Sequence, residues 1–245
     1  MQQSHYELEA NLIERKQYGL LEIVRNILPA NVTCAYLRQK SPLGLGHAIL
    51  CAKQLIDNEP FAVLLADDLI DSEKKSCLQQ MLEVFRENQS SIVAVQKIPR
   101  IDSKKYGVID AGPLDHKLAI IRGIIEKPTP REAPSGLAVV GRYILTPRIF
   151  SLLEHTPKGA EGEIQLTDAI ATLLLEQSVY SLQFQGKRYD CGSKLGYLEA
   201  TVDFALKHGE LADDFKKWLR DFVKRMEPDE KSGTSTRSTD STIHQ

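Results

Sequence analysis

The sequence predicts an α/β protein built on a doubly wound sheet with an antiparallel insertion. Three observations carry this. Strand-like apolar runs alternate with segments of helical period along most of the chain. An unbroken apolar run, residues 61–66, stops abruptly at Asp67 and Asp68. Two further runs, 106–111 and 119–126, flank a Gly112-Pro113 turn and read as an antiparallel pair.

Taken in order, Leu8, Leu12, Ile13, Leu20, Leu21, Val24 and Ile27 predict one helix over 6–27, ended by Pro29. Residues 33–37 read as a short strand. A loop with Pro42, Gly44 and Gly46 leads to a helix over 47–55. The 61–66 run reads as a strand buried on both faces, as inside a parallel sheet, with its acids at the carboxyl end where α/β proteins bind ligands. Ser72 is the expected N-cap of a helix reaching Asn88. Strands follow at 91–96 and 137–145, then a helix opened by Pro147 through Leu153 and another over 164–177. Short strands at 179–184 and 187–190 surround Gly186, and helices cover 194–208 and 212–226. One domain is expected over 1–226. The Ser- and Thr-rich remainder, 227–245, is expected to be a disordered tail.

At 245 residues, 42% hydrophobic and 26% charged, the chain has the composition of a soluble globular protein. A formal net charge of −2 supplies no basic field, so nucleic acid is not an expected partner. Cys34, Cys51, Cys77 and Cys191 form no C-x-x-C pair, and Cys34 and Cys51 fall in or near segments that read as buried. That argues against zinc and disulfides and for a reducing cytoplasm. No leader and no membrane span is read, since no window approaches 18 apolar residues.

Paired acids after a strand suit a metal ion facing a phosphate-bearing substrate, though such acids also cap helices. Glu126-Lys127-Pro128 ends a strand with a glutamate that can accept from sugar hydroxyls and a lysine suited to phosphate; by strand alternation the two should diverge unless the end twists. Taken alone it also reads as a surface ion pair, and Asp190 before Cys191-Gly192 as a turn residue. The Gly44/Gly46 loop lacks the third glycine of a dinucleotide fingerprint.

Read together, Arg38-Gln39 with GLGHAILCAK (44–53), EPFAVLLADDL (59–69), YGVI (106–109), IIEKP (124–128), GLAVVGRYILTPRIF (136–150), GEIQLTDAI (162–170) and RYDCGSKLGYLEATVDFAL (188–206) resemble, in order, the bacterial UTP–glucose-1-phosphate uridylyltransferases, or UDP-glucose pyrophosphorylases. The resemblance implies a Rossmann-like nucleotidyltransferase fold with a mixed sheet, acting on UTP and glucose 1-phosphate to give UDP-glucose and pyrophosphate, in the service of polysaccharide biosynthesis. It implies that Gln39 and Gly44 contact the uracil, that Asp67 and Asp190 hold Mg²⁺, and that Gly107 and Gly141 approach the sugar. Glu126 would hold glucose hydroxyls and Lys127 would bridge the phosphates, making Lys127 and Asp67 the catalytic pair; Asp68 is expected to be a structural neighbour. A cytoplasmic homo-oligomer is implied as well.

The family normally opens with a strand and a G-x-G-T-R loop that grips the triphosphate, and Met1 falls just before the helix that follows them. The expectation is therefore an N-terminally incomplete fold with impaired turnover. The alternatives are a non-catalytic sugar-nucleotide-binding or pairing subunit, and a metal-dependent glycosyltransferase, whose Asp-x-Asp signature 67–71 lacks.

Overall fold

A computed structural model of the chain describes residues 3–226 apart from 30, 114, 116, 160 and 161; the expected tail lies outside the described residues. The chain divides into two compact units, with the boundary between Leu43 and Gly44. In the first, the single expected helix is two, α1 (Gln3–Glu14) and α2 (Tyr18–Arg25). Lys16 turns the chain at φ 55°, and the Gln17 amide donates to Leu12 O at 2.9 Å to close α1. The apolar period ran through the break because Leu12 and Leu21, one on each helix, are both buried. The strand expected at 33–37 is extended chain outside any sheet, and Cys34 is exposed, not buried.

The second unit carries a six-stranded sheet. Its order is β1 (Phe61–Leu64), β6 (Leu137–Leu145), β3 (Ile92–Lys97), β7 (Tyr180–Gln183), β5 (Leu118–Glu126) and β4 (Gly107–Ala111). A separate ribbon pairs β2 (Asp68–Asp71) with β8 (Lys187–Asp190). Among the described pairings only β3 and β7 run parallel, so the sheet is mixed and mainly antiparallel. The parallel, doubly buried reading of 61–66 is corrected accordingly. β1 pairs antiparallel with β6 at the end of the sheet order, and Ala62 and Leu64 on its outer face are exposed.

The helices are α3 (Leu45–Cys51), α4 (Lys53–Ile56), α5 (Cys77–Asn88), α6 (Arg148–His155), α7 (Leu166–Leu173), α8 (Lys194–Ala205) and α9 (Ala212–Met226). The helix expected over 47–55 is thus split into α3 and α4. The cap of α5 is Ser76, not Ser72. Ser76 Oγ accepts the Gln79 amide at 3.2 Å while Gln79 Oε1 accepts the Ser76 amide at 2.8 Å, a reciprocal box. Residues 68–71 are taken by β2, which displaces the helix start.

Alternation along β3 shows how the sheet is covered. Ile92 and Ala94 pack with Cys77 and Met81 of α5, and Val93 and Val95 pack with Ile149 and Leu153 of α6 and Ile170 of α7. Helices on both faces bury the central strands, as a doubly wound α/β unit requires.

One strand edge is left incomplete, and this positions the site. Along the side of β6 away from β3, β1 covers Arg142 to Leu145 and β4 reaches only Ala138, through Val108. Gly141 lies between them, and the turn after β1 supplies its hydrogen bonds: Leu65 N donates to Gly141 O at 2.9 Å, and Gly141 N donates to Asp68 Oδ2 at 2.6 Å. The other Asp68 oxygen accepts from Arg188 Nε, and Arg142 donates to the carbonyls of Asp68, Leu65 and Gly141. Side chains at this pair are 7–8% exposed. A Cβ on Gly141 would come within 2.6 Å of Asp68 Oδ2 and Leu65 Cβ, so only glycine fits.

Removing one partner of a buried ion pair strands the other. Asp68→Ala is expected to cost about 3–5 kcal/mol of stability in denaturant unfolding, against less than about 0.5 kcal/mol for exposed Asp67→Ala.

Candidate active site

The β2–β8 ribbon sets Asp68 opposite Asp190, which carries Asp67 to the ribbon's end, where Cys191 N donates to Asp67 O at 2.7 Å. Two of the expected site residues, far apart in sequence, thereby share one place. Asp67 Oδ2 and Asp190 Oδ1 each lie 3.2 Å from the point a Cβ on Gly192 would occupy, so the two oxygens are at most twice that distance apart. Both oxygens face the position that a side chain at residue 192 would occupy.

The rest of Asp190 is committed. Its Oδ2 accepts from the Tyr106 hydroxyl at 3.1 Å and stands 3.7 Å from the Arg188 guanidinium, leaving Oδ1 turned toward Gly192. Among the described residues the Asp67 carboxylate has no hydrogen-bond partner. No group of three or more His, Cys, Asp or Glu among the described residues is placed to hold a metal unaided. Two carboxylates with open coordination positions fit Mg²⁺ rather than a caged cation, because Mg²⁺ is commonly held by one or two carboxylates with water and substrate phosphate completing its shell. The donor set therefore fits.

A second group forms where β4 pairs with β5. Gly107 lies opposite Glu126, and a Cβ there would meet Thr167 Cγ2 at 2.9 Å and Glu126 Oε2 at 3.3 Å. Thr167 Oγ1 donates to Glu126 Oε2 at 3.0 Å. Burial raises the Glu126 pKa above the ordinary glutamate value, with the Asp168 and Glu163 charges adding to it and Thr167 and Lys127 opposing it. The next residue leaves the strand: Lys127 takes φ 44°, a left-handed conformation uncommon for a side-chain-bearing residue, and is exposed. The strand end thus twists at Lys127, so simple alternation no longer sets the direction of the lysine relative to Glu126.

Tyr106 ties the groups together. Its carbonyl accepts the Lys127 amide at 3.0 Å, its hydroxyl donates to Asp190, and Arg188 lies 5.0 Å over its ring. Neither Tyr106 nor Thr167 was singled out from the sequence. Both lie inside recognised motifs, YGVI and GEIQLTDAI, but their partners are remote in the chain.

Gly44 caps α3 at φ 90°, and a Cβ there would fall 2.8 Å from Glu163 Cβ and 2.9 Å from Ile164 O. The glycine loop is therefore held against the segment leading into α7, the helix that carries Thr167. Gly141 lies under the Asp68 turn with its amide donated to Asp68. Gln39 belongs to the first unit and is partly buried.

The comparisons with known proteins extend over most of the chain. Residues 1–206 match the nucleotidyl transferase family. A UTP–glucose-1-phosphate uridylyltransferase of Staphylococcus epidermidis is 45% identical over 87% of this chain and 74% of its own length. The Bacillus subtilis relative of the same name is 42% identical over 90% and 75%. Among solved structures, a UTP-bound UDP-glucose pyrophosphorylase from Acinetobacter baumannii superposes with a TM-score of 0.80 at 40% identity, covering 88% of this chain and 75% of that one. A UDP-glucose pyrophosphorylase complexed with UDP-glucose gives a TM-score of 0.73 at 46% identity, covering 79% and 73%. The chain thus spans about three-quarters of the length of these relatives, and it belongs to the nucleotidyl transferase family.

Proposed function

We propose that the chain is a UTP–glucose-1-phosphate uridylyltransferase. A phosphate oxygen of glucose 1-phosphate attacks the α-phosphorus of UTP; the new P–O bond forms as the bond to the β-phosphate bridge breaks, giving UDP-glucose and pyrophosphate. The observation that carries this reading is the pair of carboxylate oxygens converging over Gly192, joined through Tyr106 to the Glu126–Lys127 corner.

Both reactants are polyanions, so positioning and charge must do most of the work. Asp67 and Asp190 would hold Mg²⁺, which when bound supplies positive charge to phosphate oxygens. Lys127, free of the strand and exposed, is suited to reach phosphate. Glu126, fixed on one oxygen by Thr167, presents the other to sugar hydroxyls. Gly107, having no side chain, lets Glu126 and Thr167 pack directly against its backbone. Gln39 and Gly44 are proposed to read the uracil; Gly141, expected at the sugar, is instead buried with its amide and carbonyl committed to Asp68, Leu65 and Arg142, and is given no sugar contact.

We also propose a cytoplasmic setting, which the free thiols of Cys34, Cys51, Cys77 and Cys191 support, and self-association. Among the described residues no helix is long and apolar enough to cross a membrane.

UDP-glucose titrated calorimetrically into the chain tests the reading. Binding that strengthens with Mg²⁺ supports it, and absence of binding at millimolar ligand contradicts it; transfer of labelled pyrophosphate into UTP separates an enzyme from a mere binder. Asp67→Ala and Asp190→Ala are each expected to remove the Mg²⁺-dependent part of the affinity, tenfold or more. Lys127→Ala is expected to lower kcat/KM by about 10²–10³-fold, because a charge about 4 Å from phosphate is worth about 4 kcal/mol at an effective dielectric of 20 before desolvation.

Glu126 gives a pH signature. Its native pKa lies above the unfolded value, so the stability it contributes is present at low pH and lost as pH rises through the native pKa. Glu126→Gln is therefore expected to raise the melting temperature at pH 7, with the gain vanishing below the ordinary glutamate pKa, while weakening UDP-glucose binding at pH 7.

A further inference from the structure

Arg188 faces two carboxylates and one phenol. Its Nε donates to Asp68 Oδ1, its Nη1 donates to the Tyr106 hydroxyl at 3.3 Å, and its Nη2 stands 3.7 Å from Asp190 Oδ2. The arginine side chain is 8% exposed, so water is a poor substitute for any partner it loses. The Tyr106 hydroxyl in turn donates to Asp190 Oδ2 at 3.1 Å. Asp68, which completes the sheet edge, and Asp190, which faces Gly192, are therefore linked through one guanidinium and one hydroxyl.

The direction of this link is fixed by which groups can donate. A guanidinium has no acceptor and an ionised carboxylate has no donor, so the hydroxyl must accept from Arg188 and give its single proton to Asp190. Tyr106 is itself held on both sides of its backbone. Its amide donates to Ser103 O at 3.1 Å, its carbonyl accepts the Lys127 amide at 3.0 Å, and the buried Ser103 Oγ donates to Pro128 O at 2.8 Å. Arg188 lies 5.0 Å over the ring and restricts its rotation. With Oδ2 of Asp190 taken in this way, Oδ1 is left on the Gly192 side, toward Asp67.

From this geometry, we propose that Tyr106 is a positioning residue for the cation site: its hydroxyl orients the Asp190 carboxylate and keeps the Arg188 guanidinium from closing onto it. This role rests on the reading of Asp67 and Asp190 as Mg²⁺ ligands and adds to it a residue that touches neither cation nor substrate. The gap of 3.7 Å between Arg188 and Asp190 is about 1 Å longer than a charge-assisted hydrogen bond, so without the hydroxyl the two can pair directly. Such a pair turns the carboxylate toward the arginine and offsets the negative charge that a cation needs. Partners that hold a metal ligand without touching the metal set its affinity by roughly 10–100-fold.

Tyr106→Phe removes the hydroxyl and keeps the ring beside Arg188. Electron paramagnetic resonance of free Mn²⁺, titrated with the full chain in the presence of UDP-glucose, reads the cation affinity. Y106F is expected to weaken it about tenfold or more, and Y106F/D190A to match D190A, because the hydroxyl acts through Asp190. Calorimetric titration of UDP-glucose in EDTA shows whether the rest of the site is intact, and the loss in Y106F is expected in the Mn²⁺-dependent affinity rather than the metal-free one. Three results would each overturn the proposal while leaving Asp67 and Asp190 as ligands: a Y106F that binds Mn²⁺ like wild type, an equal loss from Y106F in the D190A background, or an equal loss of metal-free UDP-glucose affinity, which marks a purely structural role. A wild type that takes up no Mn²⁺ would instead overturn the cation site itself, and this role of Tyr106 with it.

Discussion

The buried Asp68–Arg188 pair is the constraint on which the rest of the site depends. It completes the side of β6 that β1 and β4 leave open at Gly141, so a side chain stands where a strand would otherwise supply hydrogen bonds. A carboxylate can do this because it accepts from the Gly141 amide and Arg188 at once, and because Arg142 gathers the carbonyls of Leu65, Gly141 and Asp68. Nearly all hydrogen-bonding capacity in this dry place is matched, and that makes a buried charge tolerable. The same pair anchors β2 to β8, so it fixes the register that brings Asp67 up to Asp190.

Adjacent acids therefore have opposite circumstances. Asp68 is enclosed and saturated, whereas Asp67 is exposed and its carboxylate is unpartnered among the described residues. Asp190 divides the two conditions between its own oxygens: one is held by Tyr106 and Arg188, and the other faces Gly192. Glu126 repeats the pattern at the second group, with one oxygen tied to Thr167 in a setting that resists its charge. Such arrangements, together with the left-handed backbone of Lys127, cost stability and are typical of places kept for a ligand.

Much of the fold was legible in the sequence wherever a run was long and its environment uniform. The strand at 137–145 and the helix at 212–226 emerge with the bounds that were expected, because nine apolar-rich residues and fifteen residues of sustained amphipathic period leave little ambiguity. Local signals failed where a distant partner decides. Apolar content alone cannot separate a doubly buried strand from one at the end of a sheet, and Leu64, inside the apolar run, is 53% exposed. Ser72 and Ser76 offer the same capping chemistry, and only the pairing of 68–71 with 187–190 excludes the first. At the site, Asp67, Asp190, Glu126 and Lys127 stand in recognisable motifs, while Tyr106 and Thr167 matter through contacts to residues remote in sequence.

Asp67 and Asp190 are proposed to hold a divalent cation together against the phosphates of a uridine sugar nucleotide. That role is tested most directly by ³¹P relaxation of UDP-glucose in the presence of the chain and Mn²⁺ as a paramagnetic substitute for Mg²⁺. Strong relaxation enhancement of both phosphorus resonances is expected with the intact chain, and its loss in Asp67→Ala and Asp190→Ala. Undiminished enhancement in both variants, or none with the intact chain at saturating nucleotide, would contradict it.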